Sequence, residues 1–271
     1  MRFTQSVTRS LAFAAVAATA TLGIALAQPS KKPFEPQVGQ PGKDVIWVPT
    51  PQALVEKMLD LTKVSANDVH YDLGSGDGRT VIAAAKRGAQ AFGVEYNPDM
   101  VALSQANAEK EKVSDRATFI NGDIFKTDFS KANVITLYLL TSLNAKLRPT
   151  ILEMRPGTRV ASNSFDMGDW RPDTTVNGFE GCQYCTAHYW IVPARVAGTW
   201  KLDNGELRLQ QRFQVINGTA VIGGKEVPIT DGKLTGAEIA FTAGGTKYTG
   251  KIDGNSMEGS AGGTTFRATR G

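Results

Sequence analysis

Three glycines two residues apart, Gly74, Gly76 and Gly78, stand between a short apolar run and the start of a helical pattern. Glycine at such a junction permits tight turning and lets a ligand approach the backbone closely. The amides that open the following helix favour a negative group. A dinucleotide site would place its third glycine at position 79, where this chain has Arg79. Asp72 ends the preceding run, poorly placed for a pyrophosphate but well placed for a ligand carrying an amino group and a sulfonium cation. Glu95 comes 23 residues later, at the end of a second apolar run, where a carboxylate can accept hydrogen bonds from both hydroxyls of a ribose. Asp123, in Asn121-Gly122-Asp123-Ile124 after a third run, could bond an adenine amino group. Read singly, Asp72 could equally cap the next helix and Glu95 could end in solvent. Together, three polar side chains from successive strand ends converge on one crevice, which is a more specific signal than the glycines.

The elements that must hold these residues alternate. Strands are expected at 69–73, 91–96, 117–121, 132–140 and 158–163, with a later one at 188–192. Helices are expected at 52–61, 80–87, 98–112 and 142–154. Asn97 suits an N-cap and Pro98 the first helical position, and Pro149 should kink or split the last helix. The run at 132–140 is apolar throughout, as in a central parallel strand buried on both faces. This pattern predicts an α/β fold with a doubly wound, mostly parallel sheet over residues 47–196. Beyond residue 197 the chain changes character. Of its 28 glycines, 15 fall in these last 75 residues, many in turn dipeptides such as Asn217-Gly218, Asp231-Gly232 and Gly244-Gly245. That density predicts consecutive hairpins forming a small antiparallel meander or partly closed barrel of six to eight strands over 197–271.

The formal net charge is +4, and it falls to +2 without Arg2 and Arg9. So small an excess gives no electrostatic case for nucleic acid. Residues 1–27 read as an export signal: Arg2 and Arg9, an apolar run from Leu11 to Ala25, and small residues at Ala25 and Ala27 before Gln28. Cleavage after Ala27 would give a periplasmic or secreted protein, and an uncleaved membrane anchor is the alternative. After signal removal no integral membrane segment is expected. Residues 28–46, rich in Pro, Gln, Gly and Lys, are expected to form an extended arm. Cys182 and Cys185 are the only cysteines. They could form a disulfide, remain free thiols or, with His188, hold a metal, although a structural zinc site usually wants four ligands. No metal site is expected.

These residues resemble the class I S-adenosylmethionine-dependent methyltransferase family over roughly residues 47–193. Asp72-Leu73-Gly74-Ser75-Gly76-Asp77-Gly78-Arg79 looks like its first motif, and Gly93-Val94-Glu95-Tyr96-Asn97 like its acidic second motif. With Trp47-Val48-Pro49-Thr50-Pro51 ahead of them, these motifs are similar to a small group of protein-lysine methyltransferases that includes the mitochondrial enzyme acting on the c-subunit of ATP synthase. The resemblance implies S-adenosylmethionine as cofactor, with contacts at Asp72, Gly74, Ser75, Gly76, Gly78, Glu95, Asp123, Pro49 and Thr50. It also implies a methyl acceptor, which in that narrower group is a protein lysine. Methyl transfer needs positioning more than acid–base residues, because the sulfonium is already a good leaving group. Thr136-Leu137-Tyr138-Leu139-Leu140 lacks the Asn/Asp-Pro-Pro-Tyr of amino-group methylases that act on DNA bases. Tyr138 either lines the transfer channel, its ring favouring a cation, or is a core aromatic. Asp166 or Asp169 either holds and deprotonates an incoming amine or only caps its loop. The alternative to an enzyme is an exported, non-catalytic binding protein that retains the fold.

Overall fold

The computed structural model describes residues 1–2 and 34–270. The expected signal segment, save its first two residues, and the start of the expected arm lie outside the described residues. α1 (Gln52–Leu61) turns Leu54, Val55, Met58 and Leu59 inward. The α/β units follow as β1 (Val69–Leu73), α2 (Arg79–Lys86), β2 (Gln90–Glu95), α3 (Pro98–Lys110), β3 (Ala117–Asn121), β4 (Val134–Leu137), α4 (Thr141–Leu152) and β5 (Arg159–Asn163). A hairpin, β6 (Thr174–Phe179) and β7 (Cys182–Ile191), completes a seven-stranded sheet in the order β3-β2-β1-β4-β5-β7-β6. β1 to β5 pair in parallel and β7 runs antiparallel to β5 and β6. The strand order reverses at β1, flanked by β2 and β4, which opens a crevice at the carboxyl ends of these strands.

Local chemistry accounts for the boundaries. Asn97 caps α3 by accepting from the Asp99 amide, and Pro98 occupies the first turn. The expected long strand at 132–140 shortens to the four fully buried residues of β4, and Tyr138 to Leu140 leave the sheet to line the crevice. α4 runs through Pro149 unbroken. Pro149 is exposed, so the carbonyl it leaves unpaired meets water rather than the core. The expected strand at 188–192 is only the second half of β7. β6 was not expected, because its residues are largely exposed and carry no apolar alternation.

Eight strands, β8 (Gly198–Leu202), β9 (Gly205–Arg212), β10 (Val215–Ile222), β11 (Lys225–Thr235), β12 (Glu238–Ala243), β13 (Thr246–Asp253), β14 (Ser256–Ala261) and β15 (Thr264–Arg270), form a closed antiparallel barrel. β15 pairs back onto β8, Arg270 opposite Trp200. Trp200, Phe241, Tyr248, Ile239 and Met257 help fill its interior. Asn217-Gly218 and Asp231-Gly232 are not hairpin turns as expected. They sit where the register shifts inside β10 and β11, and such bulges supply the bending that closure requires.

Candidate functional site

A cleft of about 500 Å³ lies above the carboxyl ends of β1, β2 and β4. Its lining includes Asp72, Gly74, Ser75, Gly76, Glu95, Asp123, Pro49, Thr50 and Tyr138. Of the expected cofactor residues only Gly78 is not on this lining. Gly78 precedes α2 at φ +81°, and a Cβ there would meet Phe119 at 2.7 Å and Ser104 at 2.9 Å. Gly78 thus packs the loop closely on β3 and α3.

Asp72 is 6% exposed and accepts a hydrogen bond from Thr136 Oγ1 at 2.7 Å. The two residues face each other across the β1–β4 register. His70, two residues earlier on the same face of β1, approaches the same hydroxyl through Nε2 at 2.8 Å. Burial pushes the Asp72 carboxyl up to about 7, the Thr136 hydrogen bond opposes this, and the charges of Asp77 and Glu95 add to it. Burial holds His70 down at about 3, so its imidazole is neutral. When Asp72 is ionised, the Thr136 proton goes to its carboxylate and Nε2 of His70 donates to the same hydroxyl. Nδ1 is then a bare acceptor, and it is buried without a partner.

Glu95 is fixed by the backbone. Oε2 accepts from Gly76 N at 3.0 Å and Oε1 from Asn97 N at 2.9 Å. Each oxygen keeps lone pairs for a ligand. Gly76 sits at φ +55°, and a Cβ there would come within 2.7 Å of Trp47 Nε1. The Ser75 hydroxyl is buried on the lining with no partner.

Two features of the site escaped the sequence reading. Arg79, seen there only as the residue that breaks a dinucleotide motif, pairs with both oxygens of Asp77 and donates to Thr50 O at 2.9 Å. It ties the glycine loop to the Trp47–Pro51 segment, and its spacing from Asp77 was the available signal. The expected extended arm instead folds back on itself, with Trp47 N bonding Gln40 O and Gly39 N bonding Trp47 O. Residues 40–48 of this small hairpin line the cleft. Lys43 reaches Asp123 Oδ2 at 2.7 Å, holding that carboxyl below its usual range, and lies over the Tyr96 ring.

The other side of the cleft is apolar. Tyr138, Leu139, Leu140, Leu143 and Phe165 line it, and the Tyr138 and Phe165 rings stack at 6.3 Å. Asp166 and Asp169 are not on the lining. Asp166 accepts from Gly168 N at 3.1 Å, while Asp169 pairs with Arg148 and Arg212. Asp166 thus caps its own loop, one of the two readings its sequence left open, and Asp169 is held in ion pairs. Cys182 and Cys185 form a disulfide packed against Leu54 and Met58. That pairing removes the thiolates the metal alternative needed, and His188 Nδ1 instead meets Thr175 Oγ1 at 3.0 Å. Among the described residues no cluster of metal-ligating side chains is found.

The comparisons with known proteins agree on this half of the chain. A family model, the ANTKMT methyltransferase domain, matches residues 72–174. A protein-lysine N-methyltransferase of Saccharolobus islandicus is 40% identical over 151 residues, covering 55% of this chain and 94% of that protein. The Xenopus laevis lysine N-methyltransferase of the ATP synthase C-subunit is 34% identical over 128 residues, 47% of this chain and 56% of that protein. Among solved structures, an RNA methyltransferase of Salinibacter ruber in complex with S-adenosyl-L-homocysteine is 48% identical, with a TM-score of 0.52, over 55% of this chain and 96% of that one. The chain thus spans nearly all of the archaeal relative but little more than half of the frog one.

Proposed function

The chain belongs to the family of S-adenosylmethionine-dependent protein-lysine methyltransferases, and from that premise we propose that it methylates a lysine side chain of a protein. The observation that carries the reading is the convergence of Asp72, Glu95 and the Gly74–Gly76 loop on one cleft, with an aromatic wall facing them. The donor set fits the cofactor. Glu95, already oriented by two amides, would accept from the ribose hydroxyls through its free lone pairs. Asp72 would hold the amino group of the methionine part. Asp123, paired with Lys43, would take the adenine amino group, and Pro49 and Thr50 line the same cleft.

The bound cofactor supplies an activated methyl group on a sulfonium. The protein's part is to orient and to exclude water. The lysine enters along Tyr138 and Phe165, where an apolar surrounding disfavours its ammonium form and frees the nitrogen lone pair. The carboxylates on the lining belong to the arm, to the glycine loop or to the ends of β1, β2 and β3. Among the described residues no carboxylate stands on the aromatic wall, so desolvation does the work of a general base. An RNA acceptor is the competing reading raised by the Salinibacter ruber structure. A net charge of only +4 opposes it. The signal-like first 27 residues support export, with a mature chain starting at Gln28; mass analysis of the secreted protein checks this.

The functional test is calorimetric titration with S-adenosylmethionine followed by radiolabelled methyl transfer to lysine-rich protein and to RNA. Binding with transfer to lysine is expected. Folded protein that binds no cofactor would leave only the non-catalytic alternative, and transfer to RNA alone would replace the acceptor.

A further inference from the structure

Every hairpin of the barrel turns through two residues, as the pairs that flank each loop show. Five of these loops begin with a glycine at positive φ: Gly223, Gly236, Gly244, Gly254 and Gly262. The β9–β10 loop begins instead with Phe213, at φ +54°. An aromatic side chain in the left-handed region is strained, and glycine would serve the turn better. Strain that the turn itself does not need points to another purpose.

The Phe213 ring packs outside the barrel. It stacks on Trp170, with centroids 6.0 Å apart and planes 22° apart, and the Arg148 guanidinium lies over it. Its neighbour Gln214 is 7% exposed. Gln214 Oε1 accepts from Trp170 Nε1 at 2.9 Å, and Nε2 donates to Arg171 O at 2.8 Å. Both ends of one buried amide are thus spent on the segment that follows β5. Within that segment the backbone is held carbonyl by carbonyl. Phe165 O accepts from Ser162 Oγ and Asn144 Nδ2, Met167 O from Arg148, and Trp170 O from Trp190 Nε1. The segment begins with Phe165, the ring that meets Tyr138 on the cleft lining.

We propose that Gln214 is a positioning residue for methyl transfer: through Trp170 and Arg171 it fixes the 165–171 segment and so holds Phe165 in the acceptor wall. The barrel then completes the site from outside the family-matched region, which ends at residue 174. This inference rests on the reading of the aromatic wall as the acceptor side.

Two variants of the full-length chain test it. Gln214→Met keeps the volume and removes both hydrogen bonds. Phe213→Gly relieves the strained turn and removes the stacking. Amide exchange across 164–171 should accelerate about tenfold in Gln214→Met, the size expected for loss of a buried hydrogen bond, and should also accelerate in Phe213→Gly as the stacking on Trp170 is lost. Exchange in the barrel strands should stay unchanged, or slow in Phe213→Gly. Affinity for S-adenosylmethionine should stay within about twofold, while KM for poly-L-lysine rises at least about fivefold, an asymmetry that general destabilisation does not produce. Unchanged exchange at 164–171 in both variants overturns the clamp, as does a cofactor affinity that falls in step with the acceptor KM. A wild-type protein that neither binds cofactor nor transfers methyl overturns the functional reading instead, and the exchange measurement still decides the clamp.

Discussion

The side of the cleft formed by Asp72, Gly76 and Glu95 takes its shape from neighbouring strand ends and from the backbone amides of the loops that follow them. The facing side, Tyr138, Leu140 and Phe165, takes its shape from loops whose anchors lie as far off as Gln214 in the barrel. Polar recognition of a fixed cofactor benefits from the first kind of construction, because oriented amides cost nothing to reorganise when the ligand arrives. An acceptor that varies between enzymes benefits from the second, because loops can be re-aimed without disturbing the sheet.

Substitutions on the two sides should therefore separate binding from turnover. Glu95→Ala removes two ligand hydrogen bonds and strands the amides of Gly76 and Asn97. Calorimetry should show S-adenosylmethionine affinity reduced about a hundredfold or more; a loss below threefold would break the comparison. Tyr138→Ala should do the reverse. Cofactor affinity is expected to stay within about threefold while kcat/KM for the acceptor falls about thirtyfold, and steady-state kinetics beside titration would reveal equal losses in both if the sides were not distinct.

Asp72 sharpens the contrast further, because its function opposes its stability. Its carboxyl rises from an ordinary 3.8 to about 7 through burial. Between about pH 4 and 7 the folded protein keeps a proton that the unfolded chain has released, so stability falls as pH rises through that window. Asp72→Asn should raise unfolding free energy at pH 8 by about 1–2 kcal/mol, with a smaller gain at pH 5. The same variant should weaken cofactor binding about tenfold at pH 8. In the wild type, affinity should decline as pH falls below about 7, when the protonated carboxyl no longer attracts a cationic amine. Denaturation and binding at both pH values give the measurement, and a destabilised Asp72→Asn protein at pH 8 would contradict it. The smallest effect belongs to Lys43→Ala. Its pair with Asp123 is solvent-exposed, so folding stability should hardly change. Cofactor release should quicken about two- to threefold in stopped-flow measurements, and an unchanged rate would detach the arm from the cofactor side.

This asymmetry also explains what was legible in the sequence. Asp72, Glu95 and Asp123 could be placed because each follows a strand with a clear apolar run, and the strand ends fix where the side chains meet. The parallel sheet and the glycine-punctuated hairpins were readable for the same reason, since period and turn chemistry are local. Asp169 could not be placed because its partners, Arg148 and Arg212, are remote in sequence, whereas Asp166 caps its own loop at Gly168, one of the two readings its sequence left open. β6 was invisible because an exposed edge strand need not alternate. Nothing local marks Gln214 either. Only Phe213, standing where sister loops carry glycine, gives a sign, and the strain of that position appears only once the register of β9 and β10 is known.

The closure of the barrel also sets an order of events during synthesis. The seven-stranded sheet has all its strands once Ile191 has been made. The barrel closes through pairing of residues 268–270 with 200–202, so it waits for the last strand to leave the ribosome. A chain still being made would therefore own a complete cofactor side before the β9–β10 turn has a finished barrel to hold it against Trp170. Domains that emerge first generally fold first. Cofactor binding is thus an early acquisition of the nascent chain, and an ordered acceptor wall a late one.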